Sequence, residues 1–318
     1  MKKILVFLFI LFNISNVTNA DETLPKKHNA ADKRNVAAKQ NIAVKQTDND
    51  SFVVFENIPY VTNGSAFQQL DLYLPKDAKT AAKPVPVVIV IHGGGWTNGS
   101  KDLKKFVEWS RFYAENGYAV ANINYRLRPD FVMPAQIHDV KSAVRWLRAN
   151  AKKYNLDINH FASFGSSAGG HLAATLGTSA HVKEFDQGEH LDQSSAVQAT
   201  VDFCGPSDFF TFRTEKKDKK AKIFAVTLFG KNAENKDVIK KSSPLQTVTS
   251  KAAPFLIVHA KDDKTVPIQQ GKSLHETLQK AGVESHFIEL TSGGHGSPQF
   301  NNAETKKQII DFLNKHLR

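Results

Sequence analysis

The segment Val85–Ile91 (VPVVIVI) constrains the fold of this chain more than any other part of the sequence. It is apolar at every position and rich in β-branched residues, which favour the extended conformation. A strand with one solvated face alternates between apolar and polar residues, whereas an unbroken apolar run is typical of a strand buried on both faces. The segment therefore predicts the centre of a parallel sheet that is covered by helices on both sides.

Strand-like and helix-like segments alternate along the rest of the chain. Residues 136–153 carry apolar side chains at helical spacing, among them Ile137, Val140 and Val144. Further strands are predicted at residues 52–55, 69–73, 118–125, 160–164, 197–203, 255–259 and 285–290. Further helices are predicted at residues 168–177, 267–281 and 304–317. This alternation predicts an α/β fold with a mainly parallel central sheet and helices on both faces.

The folded unit is expected to span residues 51–318 as one domain. Within it, residues 205–249 are less regular, and we interpret them as an insertion that could form a lid. The lysine-rich run at residues 216–222 is interpreted as a solvated surface loop. The net charge of +11 informs on solubility and partners rather than on fold, and no nucleic-acid partner is expected.

Residues 1–20 have the pattern of a secretory signal peptide. Lys2 and Lys3 precede nine apolar residues at 4–12, and Ala20 supplies a small residue before the expected cleavage point. Nine residues fall short of the ~20 that a membrane-spanning helix needs, so no stable membrane anchor is expected. Residues 21–50 contain six Lys/Arg, five Asp/Glu and no aromatic residue, which is typical of a flexible linker. The mature protein is therefore expected to be secreted or periplasmic.

Composition excludes several classes of protein and of site. With 41% hydrophobic and 23% charged residues, the chain is neither disordered nor collagen-like, and it can bury a large core. A single cysteine, Cys204, excludes an intrachain disulfide and a cysteine-rich zinc site. The chain has 12 histidines but no H-E-x-x-H motif or comparable ligand cluster, so no metal site is predicted.

A nucleophile is predicted at Ser167, the central serine of a G-x-S-x-G motif at residues 165–169. The motif gains meaning from its context, because it follows a predicted strand and precedes a predicted helix. A tight strand-to-helix turn exposes the serine hydroxyl, and the flanking glycines leave room for the turn. The helix that begins here also directs its N–H groups and its positive dipole end at the site.

An oxyanion-binding loop is predicted at residues 92–96 (HGGGW), which follow the Val85–Ile91 strand. Three consecutive glycines expose backbone N–H groups that can meet the charge developing on a tetrahedral intermediate. A phosphate-binding loop is the alternative, but neither G-x-x-x-x-G-K-[ST] nor a helix-opening G-x-G-x-x-G occurs here. His92 is interpreted as an orienting hydrogen bonder rather than a base.

The remaining candidates are a carboxylate and a histidine that each follow a strand. Asp262 and Asp263 both follow the predicted strand at 255–259, so position alone does not choose between them. His295 lies between glycines in the sequence GGHG, after the predicted strand at 285–290. The order serine, acid, histidine is the chain order of α/β-hydrolases, and the joint match is far more specific than any single motif.

From about residue 56 to residue 318 the chain resembles the α/β-hydrolase superfamily. Within it, the chain is similar to the esterase/lipase branch with an HGGGW loop, and specifically to the bifunctional feruloyl and acetylxylan esterase-like group. The resemblance is carried by LDLYLP (70–75), HGGGW (92–96), NYRL (124–127), PAQIHDVKSAVRWLRAN (134–150), FGSSAGGHLA (164–173), GPSDF (205–209), HAKDDKTVP (259–267) and GGHG (293–296). One departure is Arg128-Pro129-Asp130, where hormone-sensitive-lipase-like members usually read Ala-Pro-Glu.

The resemblance implies a serine hydrolase that cleaves carboxylic esters through an acyl-enzyme. It places the triad acid at the aspartate of D-x-x-V-P, which is Asp263, so that Asp262 is expected to lie in water. Ser167 would attack the ester, His295 would carry the proton, and Asp263 would orient His295. The oxyanion hole is expected to comprise the N–H groups of Gly94, Gly95 and Ala168. This chemistry needs neither a cofactor nor a metal.

The substrate is expected to be a short-chain ester or an acetyl or feruloyl ester of a polysaccharide. A general small-molecule esterase and an arylformamidase-like amidase are alternatives, because kynurenine formamidases share the histidine-glycine loop. A binding module without activity is a further alternative, although such modules typically lose a triad residue, and all three are present here. The sequence does not specify the oligomeric state.

Overall fold

The structure is a computed structural model that describes residues 45–48, 51–78, 81–212 and 219–318. Nine strands in these ranges form one sheet: β1 (Lys45–Asp48), β2 (Phe52–Pro59), β3 (Gln69–Pro75), β4 (Val85–Ile91), β5 (Ala119–Ile123), β6 (Leu156–Ser166), β7 (Ala199–Phe203), β8 (Phe255–Ala260) and β9 (Ser285–Leu290). Eight α-helices accompany them: α1 (Lys104–Glu115), α2 (Ala135–Ala149), α3 (Ala151–Tyr154), α4 (Ala168–Thr178), α5 (Lys219–Phe229), α6 (Lys236–Lys241), α7 (Gln269–Lys280) and α8 (Ala303–Leu317).

The sheet is mainly parallel, with the strand order β1-β2-β3-β5-β4-β6-β7-β8-β9. The first three neighbouring pairs along this order are antiparallel, and all pairs from β5 to β9 are parallel. Parallel neighbours end at the same edge of the sheet, so the loops that follow β4, β6, β8 and β9 meet there. These four loops contain all the residues predicted to act in catalysis.

Apolar cores lie on both faces of the sheet. Along β4, Val87 and Ile89 belong to one core, whereas Val88 and Val90 belong to the other. Helices α2 and α4 cover the first face, and helices α1 and α8 cover the second. The continuous apolar run of β4 follows from this burial on both sides, and the predicted α/β fold is confirmed.

Two features of the described chain were not predicted. Strand β1 lies inside the region 21–50 that we assigned to a linker, so the sheet begins at Lys45 rather than at Ser51. Its pairing with β2 depends on backbone hydrogen bonds, and its side chains at Gln46 and Thr47 are exposed, so no apolar pattern marks it. Helices α5 and α6 lie inside the region 205–249 that we interpreted as a less regular insertion without assigning helices to it.

The predicted signal peptide at residues 1–20 lies outside the described residues, as does the predicted linker except for residues 45–48. Within the described ranges, no helix combines the length and the apolar character that crossing a bilayer requires.

Candidate active site

Ser167 lies at the turn between β6 and α4, where G-x-S-x-G was expected to place a nucleophile. Its φ and ψ are 60° and −122°, a conformation that L-residues rarely adopt and that costs on the order of 1–3 kcal/mol. The turn is fixed because the Ser167 N–H donates to the Phe203 carbonyl at 2.8 Å. Glycine is required at 169, because a Cβ there would lie 2.1 Å from the Ile91 carbonyl oxygen. The start of α4 therefore packs directly against the end of β4.

The three residues predicted as a triad are in hydrogen-bond contact. His295 Nε2 lies 2.7 Å from the Ser167 hydroxyl oxygen. His295 Nδ1 lies 2.7 Å from Asp263 Oδ2. Both distances fall in the range of strong hydrogen bonds. The three residues come from loops that follow three different strands. The structure thus brings together the side chains that the sequence order selects.

Asp263 is buried and held by several donors. Its Oδ1 accepts the N–H groups of Thr265 and Val266 at 2.8 and 2.9 Å. Burial alone would raise the pKa of Asp263, but hydrogen bonds from His259, His295 and the Val266 N–H outweigh burial and hold this pKa well below its usual value. The Asp263 side chain is therefore ionised at neutral pH, as the partner of a charged histidine must be.

Asp262 differs from the expectation that it would lie only in water. Its side chain is exposed, but its two oxygens accept the N–H groups of Gly293 and Gly294 at 3.2 and 2.8 Å. These glycines precede His295, so Asp262 anchors the loop that carries the histidine. The two adjacent aspartates thus both serve the site, one through the His295 side chain and the other through the backbone of its loop.

The glycine loop after β4 lies beside Ser167. Gly94 has a φ of +123°, and a Cβ there would lie 1.9 Å from the carbonyl oxygen of Asn98, so only glycine fits. The Gly94 carbonyl accepts the N–H groups of Thr97 and Asn98, and this fixes the orientation of the loop. Among the described residues, no acceptor pairs with the three N–H groups predicted to bind the oxyanion, those of Gly94, Gly95 and Ala168.

His92 supports this loop from a buried position. It is 1% exposed, and its Nδ1 lies 2.8 Å from the Gly93 carbonyl oxygen, to which it donates when the proton is on Nδ1. Its ring stacks on Tyr125 with centroids 4.2 Å apart, and the Tyr125 hydroxyl donates to the His92 carbonyl. Burial lowers the pKa of His92 to about 4, so the ring is neutral at physiological pH. The predicted orienting role agrees with this position.

A cavity of about 580 Å³ opens at Ser167 and His295. The segment 205–249 contributes Pro206, Phe212 and Phe224 to its wall. Two basic residues that sequence reasoning missed, Lys105 and Arg128, also line it. The signal for Lys105 was its position four residues before the buried Trp109, on the inward side of α1.

Cys204 lies directly behind the triad. Its thiol is buried and donates weakly to the His295 carbonyl at 3.8 Å. With Asp263 and His295 it forms a group whose candidate ligand atoms lie within 4.8 Å of one another. Burial raises the pKa of Cys204 to about 12, whereas zinc binds the thiolate. The other two ligand atoms are hydrogen-bonded to each other, so this group fits a triad better than a metal site.

Comparison with known proteins shows relatives over most of the described chain. Esterase LipC of Mycobacterium tuberculosis is 32% identical over 253 residues, which are 78% of this chain and 62% of LipC. Esterase LipQ of the same organism is 31% identical, over 81% of this chain and 61% of LipQ. The chain therefore spans about three-fifths of the length of these relatives.

Among solved structures, a truncated form of a carbohydrate esterase from gut microbiota matches with a TM-score of 0.76 and 30% identity, over 86% of this chain and 99% of that chain. A bifunctional GH43-CE protein of Bacteroides eggerthii matches with a TM-score of 0.75 and 32% identity, over 86% of this chain and 36% of that chain. The BD-FAE family model matches residues 70–278, a span that includes Ser167 and Asp263. The chain thus belongs to the BD-FAE family, within the esterase/lipase branch of the α/β-hydrolase superfamily, and the resemblance drawn from its motifs is confirmed.

Proposed function

We propose that the protein is a serine carboxylesterase that works through an acyl-enzyme. The observation that carries this proposal is the continuous hydrogen-bonded line from Ser167 through His295 to Asp263, with 2.7 Å at each step. The line ends in a cavity, so a substrate can reach the serine. The esterase names of the relatives support the same reaction class.

The proposed reaction has two halves that use the same residues. The Ser167 oxygen attacks the ester carbonyl while His295 Nε2 takes the hydroxyl proton and then passes it to the leaving alcohol. The ionised Asp263 stabilises the imidazolium formed at each transfer. Water then attacks the acyl-enzyme, His295 takes its proton, and Ser167 leaves with that proton.

Charge on the carbonyl oxygen is proposed to be stabilised by the glycine loop and the start of α4. The N–H groups of Gly94, Gly95 and Ala168 have no acceptor among the described residues, so they can donate to an oxyanion without first breaking a described bond. The Ala168 N–H also lies at the positive end of the α4 dipole. Each such donor is worth about 10²–10³ in kcat in other hydrolases.

We propose short acyl or aromatic acyl groups attached to a carbohydrate as the substrate. Two of the solved structures similar to this chain are described as a carbohydrate esterase and a bifunctional GH43-CE protein. The cavity wall near Ser167 includes Phe212 and Phe224, which present apolar surface to a small acyl group. A general carboxylic ester hydrolase is the second candidate, and the names of LipC and LipQ favour it.

Two measurements test the proposed function. A fluorophosphonate probe should label the wild type at Ser167 and leave Ser167→Ala unlabelled. Hydrolysis of acetylated xylan, methyl ferulate and nitrophenyl esters of four and sixteen carbons should show a preference for short or feruloyl groups. Absence of both labelling and hydrolysis in a folded protein would refute the esterase proposal, and equal rates for the two nitrophenyl esters would refute the preference.

We further propose that the protein is exported, on the pattern of charged, apolar and small residues in positions 1–20. Mass spectrometry of the protein from its native host should find an N-terminus near Asp21. Finding the protein in the cytoplasm with residues 1–20 still attached would contradict export.

A further inference from the structure

Lys105 places a cation in the catalytic cavity, and none of the described carboxylates pairs with it. Its Nζ donates to the Ser166 hydroxyl at 3.2 Å and lies 5.7 Å from the ring centroids of Phe106 and Phe300. Across the described parts of the chain, no Asp or Glu forms an ion pair with it. Among the described residues, its hydrogen-bond and cation–π partners are therefore one neutral hydroxyl and two aromatic rings.

Other lysines near Lys105 do have acidic partners. The Lys101 ammonium lies 3.0 Å from Asp71 and 2.8 Å from Asp102. Lys104 lies on the exposed side of the same helix, 3.8 Å from Glu108, with 91% of its side chain exposed. Of these three lysines, only Lys105 has no carboxylate partner among the described residues.

Burial of this ammonium is unfavourable unless a charge of opposite sign accompanies it. Desolvation lowers the pKa of Lys105, which means that the protein itself does not fully replace the solvation that the cation loses. An anion bound in the cavity would supply that missing stabilisation. Within the described part of the chain, Lys105 therefore lacks a counter-ion that a bound anion could supply.

The rest of the cavity wall favours an anion as well. Arg128 lines it, with its Nε donating to the Gly95 carbonyl at 3.1 Å and its Nη1 donating to Thr227 Oγ1 at 2.7 Å. None of the described lining residues is an Asp or Glu. Lys105 and Arg128 thus place two positive charges on the cavity wall, and such charges attract anionic ligands and raise their local concentration.

We propose that Lys105 binds an ionised carboxylate that the ester substrate carries in addition to the ester group. This inference rests on the proposed esterase function and narrows its substrate class to anionic esters. Lys105 bonds to Ser166 and to neither Ser167 nor His295, so its role is to determine specificity rather than to transfer protons. The carboxylate can lie in the acyl half or in the alcohol half of the ester, and the two halves are tested separately.

Two matched pairs of substrates separate these halves. Phenyl acetate and para-acetoxybenzoate differ by a carboxylate on the alcohol half, and methyl butyrate and monomethyl succinate differ by a carboxylate on the acyl half. For each pair, the kcat/KM of the anionic ester is divided by that of the neutral ester. We expect Lys105→Gln to lower this ratio about 10–100-fold in one pair, since a hydrogen bond to a charged group is worth ~1.5–3 kcal/mol.

Three further variants control the comparison. Lys104→Gln removes the same charge from the exposed side of α1 and should leave both ratios unchanged. Lys105→Arg keeps the charge and should retain most of the preference. Lys105→Met keeps the aliphatic stem and should reproduce the loss if Lys105→Gln does not fold. Melting curves establish which variants are folded.

A binding measurement makes the test independent of turnover. Calorimetry with benzoate and with neutral benzamide should show that Lys105→Gln weakens benzoate alone, by about tenfold or more, whereas Lys104→Gln weakens neither. If the wild type hydrolyses no ester but binds benzoate through Lys105, the esterase proposal fails and the anion site stands. The inference is overturned if the wild type is active and each of the two kcat/KM ratios has the same value in the wild type, in Lys105→Gln and in Lys104→Gln. For an inactive wild type, benzoate binding that does not depend on Lys105 overturns it.

Discussion

Replacement of Asp263 by asparagine should lower kcat by about 10⁴ while leaving the fold intact. The two N–H donors from Thr265 and Val266 both reach Oδ1, and the asparagine carbonyl can occupy that position and keep them. The amide NH₂ then replaces Oδ2, 2.7 Å from His295 Nδ1. Two donors cannot face each other, so the imidazole must present a lone pair at Nδ1 and carry its proton on Nε2.

This tautomer is wrong for catalysis, because the proton on Nε2 points at the Ser167 hydroxyl that His295 should deprotonate. The increase in the activation barrier should far exceed a few tenths of a kcal/mol, because the substitution removes both the base function of His295 and the charge that stabilises the imidazolium. In serine proteases the same change costs about 10⁴ in kcat, or ~5.5 kcal/mol in the barrier, and we expect a loss of the same order here.

The assay measures the kcat and KM of nitrophenyl acetate hydrolysis for the wild type, Asp263→Asn and Asp262→Asn. Asp262→Asn is the matched control, because it also converts a carboxylate to an amide. The Asp262 side chain accepts the N–H groups of Gly293 and Gly294 at 3.2 and 2.8 Å and does not bond to the imidazole of His295. Its kcat should fall by less than about tenfold, in keeping with an exposed substitution. The reasoning is refuted if Asp262→Asn is crippled while folded Asp263→Asn keeps more than a tenth of wild-type kcat.

Three further predictions concern positions around the triad. Asp262→Ala should lower kcat by about tenfold or less with little change in KM, because two exposed hydrogen bonds to the loop of His295 are lost; an unchanged kcat would show that the loop holds itself. Gly94→Ala should lower kcat by at least about 10², because the new Cβ would lie only 1.9 Å from the Asn98 carbonyl oxygen and would force the loop to move. A wild-type kcat for this variant in esterase assays would contradict the role of the loop in binding the oxyanion. Burial raises the pKa of Asp202 to about 6, despite the opposing effects of His259 and a backbone N–H. A raised carboxyl pKa destabilises the fold as pH rises from about 4 to about 6, so the stability of Asp202→Asn relative to wild type should be greater at pH 8 than at pH 4 by on the order of 2–3 kcal/mol. Urea unfolding at the two pH values measures this, and an equal difference at both would show that Asp202 does not titrate in this range.

The sheet was predictable because its central strands are short apolar runs rich in β-branched residues, which favour a buried strand over a helix. Strands β2 to β9 each overlap a strand predicted from such a run or from alternation. Strand β1 was missed since its four residues, KQTD, include no apolar side chain, and they pair with β2 through the backbone and one exposed hydrogen bond from Thr47 to Glu56. Helix α5 was missed because a lysine-rich composition hid the apolar residues Phe224, Leu228 and Phe229 that pack inward.

The site was predictable to the extent that its chemistry depends on short motifs. Ser167, Asp263 and His295 each follow a strand, and parallel strands deliver such residues to one edge of the sheet. The role of Asp262 was not predictable, because it depends on how the loop of His295 folds back over residues far away in the chain. Lys105 was one of 42 basic residues, and the three-dimensional structure distinguishes it by placing it in the cavity wall next to Ser166.

The absence of any side chain between Gly169 and the Ile91 carbonyl has a consequence for how such enzymes diversify. The backbone of the nucleophile turn rests on the backbone of the glycine loop, so almost any substitution at this contact would move the serine relative to its oxyanion donors. Phe212, Phe224 and Lys105 lie outside that contact, and they can change without disturbing it. Descendants of a duplicated gene could therefore acquire new substrates through wall residues, while the reacting centre is inherited unaltered.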